Sequence, residues 1–152
     1  MKKSILLFVF VIVIGFVGYF YESVSANTAS PTAKCAIMKF EKEYEFSKAV
    51  FIGEVLKIEK DGNARIFEFR VKRFWKGIDS KTVKVRVNER PSYQAQYKVG
   101  GRYLVFAKAK EEDDTLWDGR CSRSRDLAGF GGEVEEDIKK LGEAKTCVSL
   151  ES

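Results

Sequence analysis

Two stretches of this chain alternate apolar and charged residues one by one, and that alternation limits its fold more than any other feature. Phe67, Phe69 and Val71 alternate with Glu68, Arg70 and Lys72, and Val83, Val85 and Val87 alternate with Lys84, Arg86 and Asn88. Successive side chains of a strand point to opposite faces, so each stretch predicts a strand with one apolar and one charged face. Such faces must be covered by another layer or by the sheet closing on itself.

The neighbouring segments extend this pattern. Val50 to Ile58 is rich in β-branched and aromatic residues, and Asp61-Gly62-Asn63 supplies turn chemistry before Arg65 to Trp75, which predicts a hairpin. Trp75 shares the apolar phase of Phe67, Phe69 and Val71 and is expected to serve folding, with Gly77 making the turn beyond it. Pro91 marks the end of the third strand. After Gly100-Gly101, Tyr103 to Phe106 is apolar on both phases, the pattern of a strand covered on both sides. Lys110 to Asp114 reads as a charged loop before a short fifth strand around Thr115 to Trp117.

Helices are expected at both ends of the domain. Ile37, Phe40 and Tyr44 recur at spacings of three and four among Lys and Glu, placing the apolar groups on one helical face and the charges on the other. Glu133 to Leu141 has acidic residues in its first turn, Lys139-Lys140 in its last and Gly142 just beyond, as helix electrostatics and C-capping favour. Five strands with terminal helices predict a mainly β fold, a small closed barrel of the oligonucleotide/oligosaccharide-binding (OB) kind. The pattern alone leaves a β-sandwich open.

Ahead of the domain, Lys2 and Lys3 precede an unbroken apolar run from Ile5 to Phe20, and small residues follow at Val24-Ser25-Ala26. This is the order of a secretory signal, with cleavage expected after Ala26. The run of about 16 residues is long for a signal core and short for a comfortable span, so an uncleaved membrane anchor is the alternative. Residues 27–34 read as a polar linker, 35–145 as the domain and 146–152 as a C-terminal tail. The chain is therefore expected to be secreted or held at the outer face of a membrane.

Composition narrows the chemistry. With 152 residues there is room for one domain, and the 45% hydrophobic, 32% charged balance is that of a globular chain. Removing Lys2, Lys3 and Glu22 with the signal would change the net charge from +5 to +4, far short of a dedicated nucleic-acid footprint. Histidine is absent, which removes the usual general base at neutral pH and the commonest metal ligand. No catalytic residue, metal site or cofactor is expected: the acidic run Glu111 to Asp114 reads as a polar loop, and Cys147 lacks a base to activate it. Outside the reducing cytosol, Cys35, Cys121 and Cys147 permit three single pairings and leave one thiol over.

Four motifs carry a resemblance. Phe51-Ile52-Gly53-Glu54-Val55, Phe74-Trp75-Lys76-Gly77, Val99 to Ala107 and Cys121-Ser122-Arg123-Ser124-Arg125 occur in an order that resembles bacterial relatives of the tissue inhibitors of metalloproteinases, over Cys35 to Gly142. The resemblance implies a netrin-like, five-stranded Greek-key barrel of the OB type and a disulfide between Cys35 and Cys121, with Cys147 spare. It implies a binding edge made of Ala33, Lys34, Cys35, Ala36 and Ile37 with the loop Pro91, Ser92 and Tyr93, and an extracellular protein, a metalloprotease among the candidates, as partner. In that family a first cysteine chelates the protease zinc through its free amino group and carbonyl. Here Ala33 stands at that position, and Ser92 or Tyr93 stands where the bridging partner of that cysteine would be. Cleavage after Ala26 would also leave Asn27 ahead of it as the new terminus.

Two binding roles follow. The first is a secreted or surface-held protein-binding module using that edge. The second is a barrel that binds carbohydrate or another extracellular ligand by stacking on aromatic side chains beside Lys and Arg. Phe67 and Phe69 share the core phase, so Trp75, Tyr93 and Tyr97, near turns, are the platforms this second role would use. Export argues against nucleic acid.

Overall fold

The computed structural model describes residues 36–89, 97–110, 113–129 and 131–147. All described residues belong to one compact unit. Its elements are helix α1 (Phe40–Phe46), strands β1 (Ala49–Asp61), β2 (Ala64–Lys76), β3 (Thr82–Asn88), β4 (Arg102–Lys110), β5 (Asp113–Asp118) and β6 (Arg125–Asp126), helix α2 (Gly131–Leu141) and strand β7 (Lys145–Thr146).

The strands run in the order β1-β2-β3-β5-β4, and β4 pairs back with β1, closing the barrel. All these pairings are antiparallel except β3 with β5. This is an OB-like barrel, mainly β, with a short helix before it and a longer one near the C-terminus. A closed barrel leaves no unpaired sheet edge and packs its inward side chains into one core.

Two cores result. Phe51, Val55, Phe67, Phe69, Val85, Val87, Tyr103 and Val105 fill the barrel, each buried. Full burial of a side chain of this size contributes about 1.5–3 kcal/mol. Val50 and Ile52 of β1 and Leu104 and Phe106 of β4 point the other way, under Val134 and Ile138 of α2 and Phe40 and Tyr44 of α1. Both strands are therefore apolar on both phases, as expected for β4. Gly142, at φ +71, ends α2 with its N–H donating to the Ile138 carbonyl at 3.2 Å.

Several local expectations change. Ile37 lies ahead of α1 and is 48% exposed, whereas Glu43, expected on the charged face, is fully buried. The turn of α1 that points at the barrel is set by Phe40 and Tyr44, and Glu43 falls between them on that side. The loop expected at Lys110 to Asp114 is shorter, because β4 runs to Lys110 and β5 begins at Asp113. Past residue 145, Thr146 pairs with Arg73 and Cys147 is buried in the barrel core, so the expected tail starts as part of the domain.

Trp75 changes phase. Along the β1–β2 ladder Gly53 faces Val71 but Ile52 faces Arg73, so Lys72 is an extra residue, a β-bulge. Beyond it the phase reverses: Phe74 enters the barrel with Phe67 and Phe69, and Trp75 packs in the outer core under the helices. Its indole Nε1 donates to the Gly142 carbonyl at 3.0 Å. Trp75 thus packs on the face of the strand opposite to the one its alternation with Phe67, Phe69 and Val71 predicts. Among the described residues, no helix is long and apolar enough to cross a membrane.

Candidate functional site

Of the expected binding edge, Ala33, Lys34, Cys35, Pro91, Ser92 and Tyr93 lie outside the described residues. Ala36 and Ile37 are described, and both are exposed. The segment they belong to is anchored one residue later, where Arg123 Nη1 donates to the Met38 carbonyl at 3.2 Å. Ala36 and Met38 line a recess of about 200 Å³ together with Lys108 of β4 and Trp117, Asp118, Cys121 and Ser122 at the end of β5. The structure thus brings the start of the domain beside the Cys121 turn, the two places that the expected bridge would join.

That turn is held from within. Arg125 Nη1 donates to the Ser122 and Ser124 carbonyls at 2.9 and 2.8 Å, and Phe106 N–H donates to Ser124 Oγ at 2.9 Å. Arg123 reaches α2, with Nη2 2.6 Å from Asp137 Oδ1 and Nε 3.0 Å from Oδ2. The Ser-Arg-Ser-Arg run, legible in sequence only as part of a resemblance, is a set of fasteners. Ser122 and Arg125 satisfy backbone groups of the turn itself, while Ser124 and Arg123 fasten it to β4, to α2 and to the Met38 carbonyl.

Charge around the recess is buried in part. Both carboxylate oxygens of Glu43 are buried with no hydrogen-bond donor among the described residues, and the Lys108 ammonium, 3.4 Å from Oε1, is its counter-charge. The indole nitrogen of Trp117 is also buried without an acceptor among the described residues. Asp118 is 5% exposed; burial pushes its carboxyl above the ordinary range, against the hydrogen bonds from Ser122, Tyr97, Gly119 and Ser124 that favour the ionised form. Sequence reasoning missed Glu43, Lys108 and Asp118. An acidic residue beside apolar neighbours in a short helix or strand reads as surface unless its three-dimensional neighbours are known.

Tyr97 is no platform. It is 7% exposed inside the barrel, edge-on to Phe67, Phe69 and Tyr103 at centroid distances of 5.1, 5.2 and 4.8 Å, and its hydroxyl donates to Asp118. The aromatic ring takes the space at the barrel axis while its hydroxyl finds a buried acceptor. Trp75 is half-buried, packed against the outer core, and Tyr93 lies outside the described residues.

A second concavity, about 620 Å³ and shallow, lies outside the barrel where β3 and β5 diverge beyond their three paired residues. Ile66, Val83 and Leu116 give it an apolar floor, and Lys84, Arg86 and hydroxyls of Ser80, Thr82 and Thr115 border it. Among the described residues, no cluster of three or more His, Cys, Asp or Glu side chains is placed to hold a metal ion. No protein-family model and no curated protein matches the chain.

Proposed function

We propose that this chain is an exported binding module without catalysis of its own, and that it grips another protein through the edge where its N-terminal segment meets the Cys121 turn. The observation that carries this reading is the pinned segment Ala36–Lys39: Arg123 fixes Met38 to α2 through Asp137, while Ile37 stands exposed beside the recess. An apolar residue displayed on anchored backbone costs little ordering entropy on contact. The barrel interior supports the same reading, because it is filled with aromatic side chains.

A bridge between Cys35 and Cys121 belongs to this proposal. Cys147 is a free, buried thiol whose Sγ lies 3.5 Å from the Val71 carbonyl, which leaves the other two cysteines to pair. On the loop-entropy model a loop this long contributes roughly 4–5 kcal/mol. It would tie the start of the domain to the same turn that carries Arg123.

A metalloprotease is the partner class the resemblance favours, and Ala33 argues for contact without zinc chelation. Titration of the exported protein against a panel of zinc proteases tests this: weak or no inhibition is expected. A chain beginning at residue 33 and carrying Ala33→Cys and Tyr93→Cys should regain some. Tight inhibition by the unmodified protein would mean that the edge works by another contact and that the reading of the lost cysteines is wrong.

The outer groove beside β3 supports a second reading, a carbohydrate binder. Its apolar floor and hydroxyl rim suit a sugar face. Oligosaccharide titrations that perturb Thr82 and Lys84 and leave Ile37 unchanged would favour it over the edge.

A further inference from the structure

The seam between β3 and β5 is short. β3 pairs with β2 along its whole length, Thr82 to Asn88, but with β5 only at Val85, Arg86 and Val87. Ahead of Val85 the two strands part, and the groove of about 620 Å³ opens where they diverge.

The main chain of β3 turns hydrogen-bond donors into that gap. The Val71 N–H donates to the Lys81 carbonyl and the Glu89 N–H to the Asn63 carbonyl, so the odd-numbered positions of this stretch direct their main-chain groups at β2. Successive residues of a strand direct these groups to opposite edges, and Thr82 and Lys84 therefore direct theirs at the gap. The Ser80 hydroxyl donates to the Thr82 carbonyl at 2.6 Å. No strand among the described residues pairs with the Thr82 and Lys84 N–H groups on that side. Two residues apart along a strand, they stand about 6.7 Å from each other.

We propose that this edge of β3 takes an extended peptide segment of another protein, with alternating apolar and acidic side chains, as an added strand. An extended polypeptide presents carbonyls along one edge at the spacing of the two N–H groups. Its side chains alternate as those of β3 do. One phase falls beside Val83 and Leu116, which pack against the barrel core, and the other beside Thr82, Lys84 and Arg86. Arg86 is ion-paired with Asp61, whereas the exposed Lys84 makes no ion pair among the described residues and is the cation left for a carboxylate on the added strand. A second copy of this chain fits poorly, because two such edges laid together bring the Lys84 and Arg86 side chains of one onto those of the other. The contact is independent of the edge at Ile37.

The test is amide NMR of the protein titrated to about 1 mM with a capped heptapeptide alternating valine and glutamate. The Thr82 and Lys84 amides should shift together, saturate with one Kd and exchange more slowly with solvent, while Ile37 stays unmoved. Thr82→Pro removes one of the two donors at the first residue of β3, where no bond to β2 is lost, and should raise Kd about tenfold. If that variant does not fold, a peptide methylated on every nitrogen takes its place and should not bind. Lys84→Gln should weaken the glutamate peptide about fivefold and leave a valine–glutamine analogue unchanged. Absence of saturable shifts at Thr82 and Lys84, undiminished binding with Thr82→Pro or with the methylated peptide, or equal binding of both peptides by wild type and Lys84→Gln would overturn the added strand. Shifts produced there by an oligosaccharide and not by the peptide would overturn it in favour of a sugar. Protease binding is not read at any point, so failure of the protease proposal leaves this result standing.

Discussion

Arg123 grips Asp137 through two hydrogen bonds, Nη2 to Oδ1 at 2.6 Å and Nε to Oδ2 at 3.0 Å, and so joins the Cys121 turn to helix α2. The planar guanidinium matches the carboxylate fork, and Asp137 is almost fully buried by the contact. A third bond carries the same guanidinium to the Met38 carbonyl. One side chain thereby sets three segments.

Removing that guanidinium leaves a buried carboxylate without its counter-charge. Arg123→Met should cost about 3 kcal/mol in urea unfolding, and Arg123→Lys should recover only part of it because a point charge cannot form the fork. Equal stability of the lysine and wild-type proteins would show that charge alone, without the fork, holds α2.

Trp75 divides into packing and a hydrogen bond. Trp75→Phe keeps most of the outer-core volume and loses the bond to Gly142, a cost of about 1 kcal/mol, whereas Trp75→Ala should cost about 3 kcal/mol. Thermal melts read both. Hydrogen exchange should quicken first at the C-terminal turn of α2, and quickening confined to β2 would contradict the assigned contact.

Two turn glycines with similar φ should differ sharply. Gly77, at φ +60, has no space: a Cβ there would lie 1.9 Å from the Lys48 carbonyl oxygen. Gly62, at φ +58, has nothing within 4 Å of the same position. Gly62→Asn should cost well under about 1 kcal/mol, while Gly77→Asn should cost about 3 kcal/mol or prevent folding. Similar melting temperatures for the two variants would remove the close approach of Lys48 as the reason for Gly77.

Asp118 gives stability a pH dependence of definite sign. Its folded-state pKa is raised by burial, so its contribution to folding is fully present below the unfolded value and is lost as pH rises through the folded one. Wild-type stability relative to Asp118→Asn should therefore be greatest in acid and should decline between the ordinary carboxylate range and the raised value. Urea midpoints at several pH values measure this difference. A decline in the opposite direction would mean that the four hydrogen bonds outweigh desolvation.

Cys147 should resist thiol reagents in the native protein and react on unfolding, since its thiol is buried in the barrel core. Peptide mapping should place the bridge between Cys35 and Cys121. A bridge to Cys147 would undo that pairing and much of the resemblance with it.

What the sequence determined by itself follows from period-two alternation. Phe67, Phe69, Val85 and Val87 could face only one side of their strands, and the apolar doubling at Tyr103 to Phe106 required a second cover, which α1 and α2 provide over Leu104 and Phe106. These are local properties of the backbone, readable without partners. Strand pairing decided the rest. Trp75 left the phase of Val71 because Lys72 is bulged against β1, a relation between residues distant in sequence that leaves no mark in the alternation. Tyr97, beside a turn, reads as exposed, yet barrel closure leaves it the space between Phe67, Phe69 and Tyr103. Asp118 became a buried hub for the same reason: a carboxylate's surroundings, and hence its desolvation and its donors, exist only once β5, the Tyr97 ring and the Cys121 turn have come together.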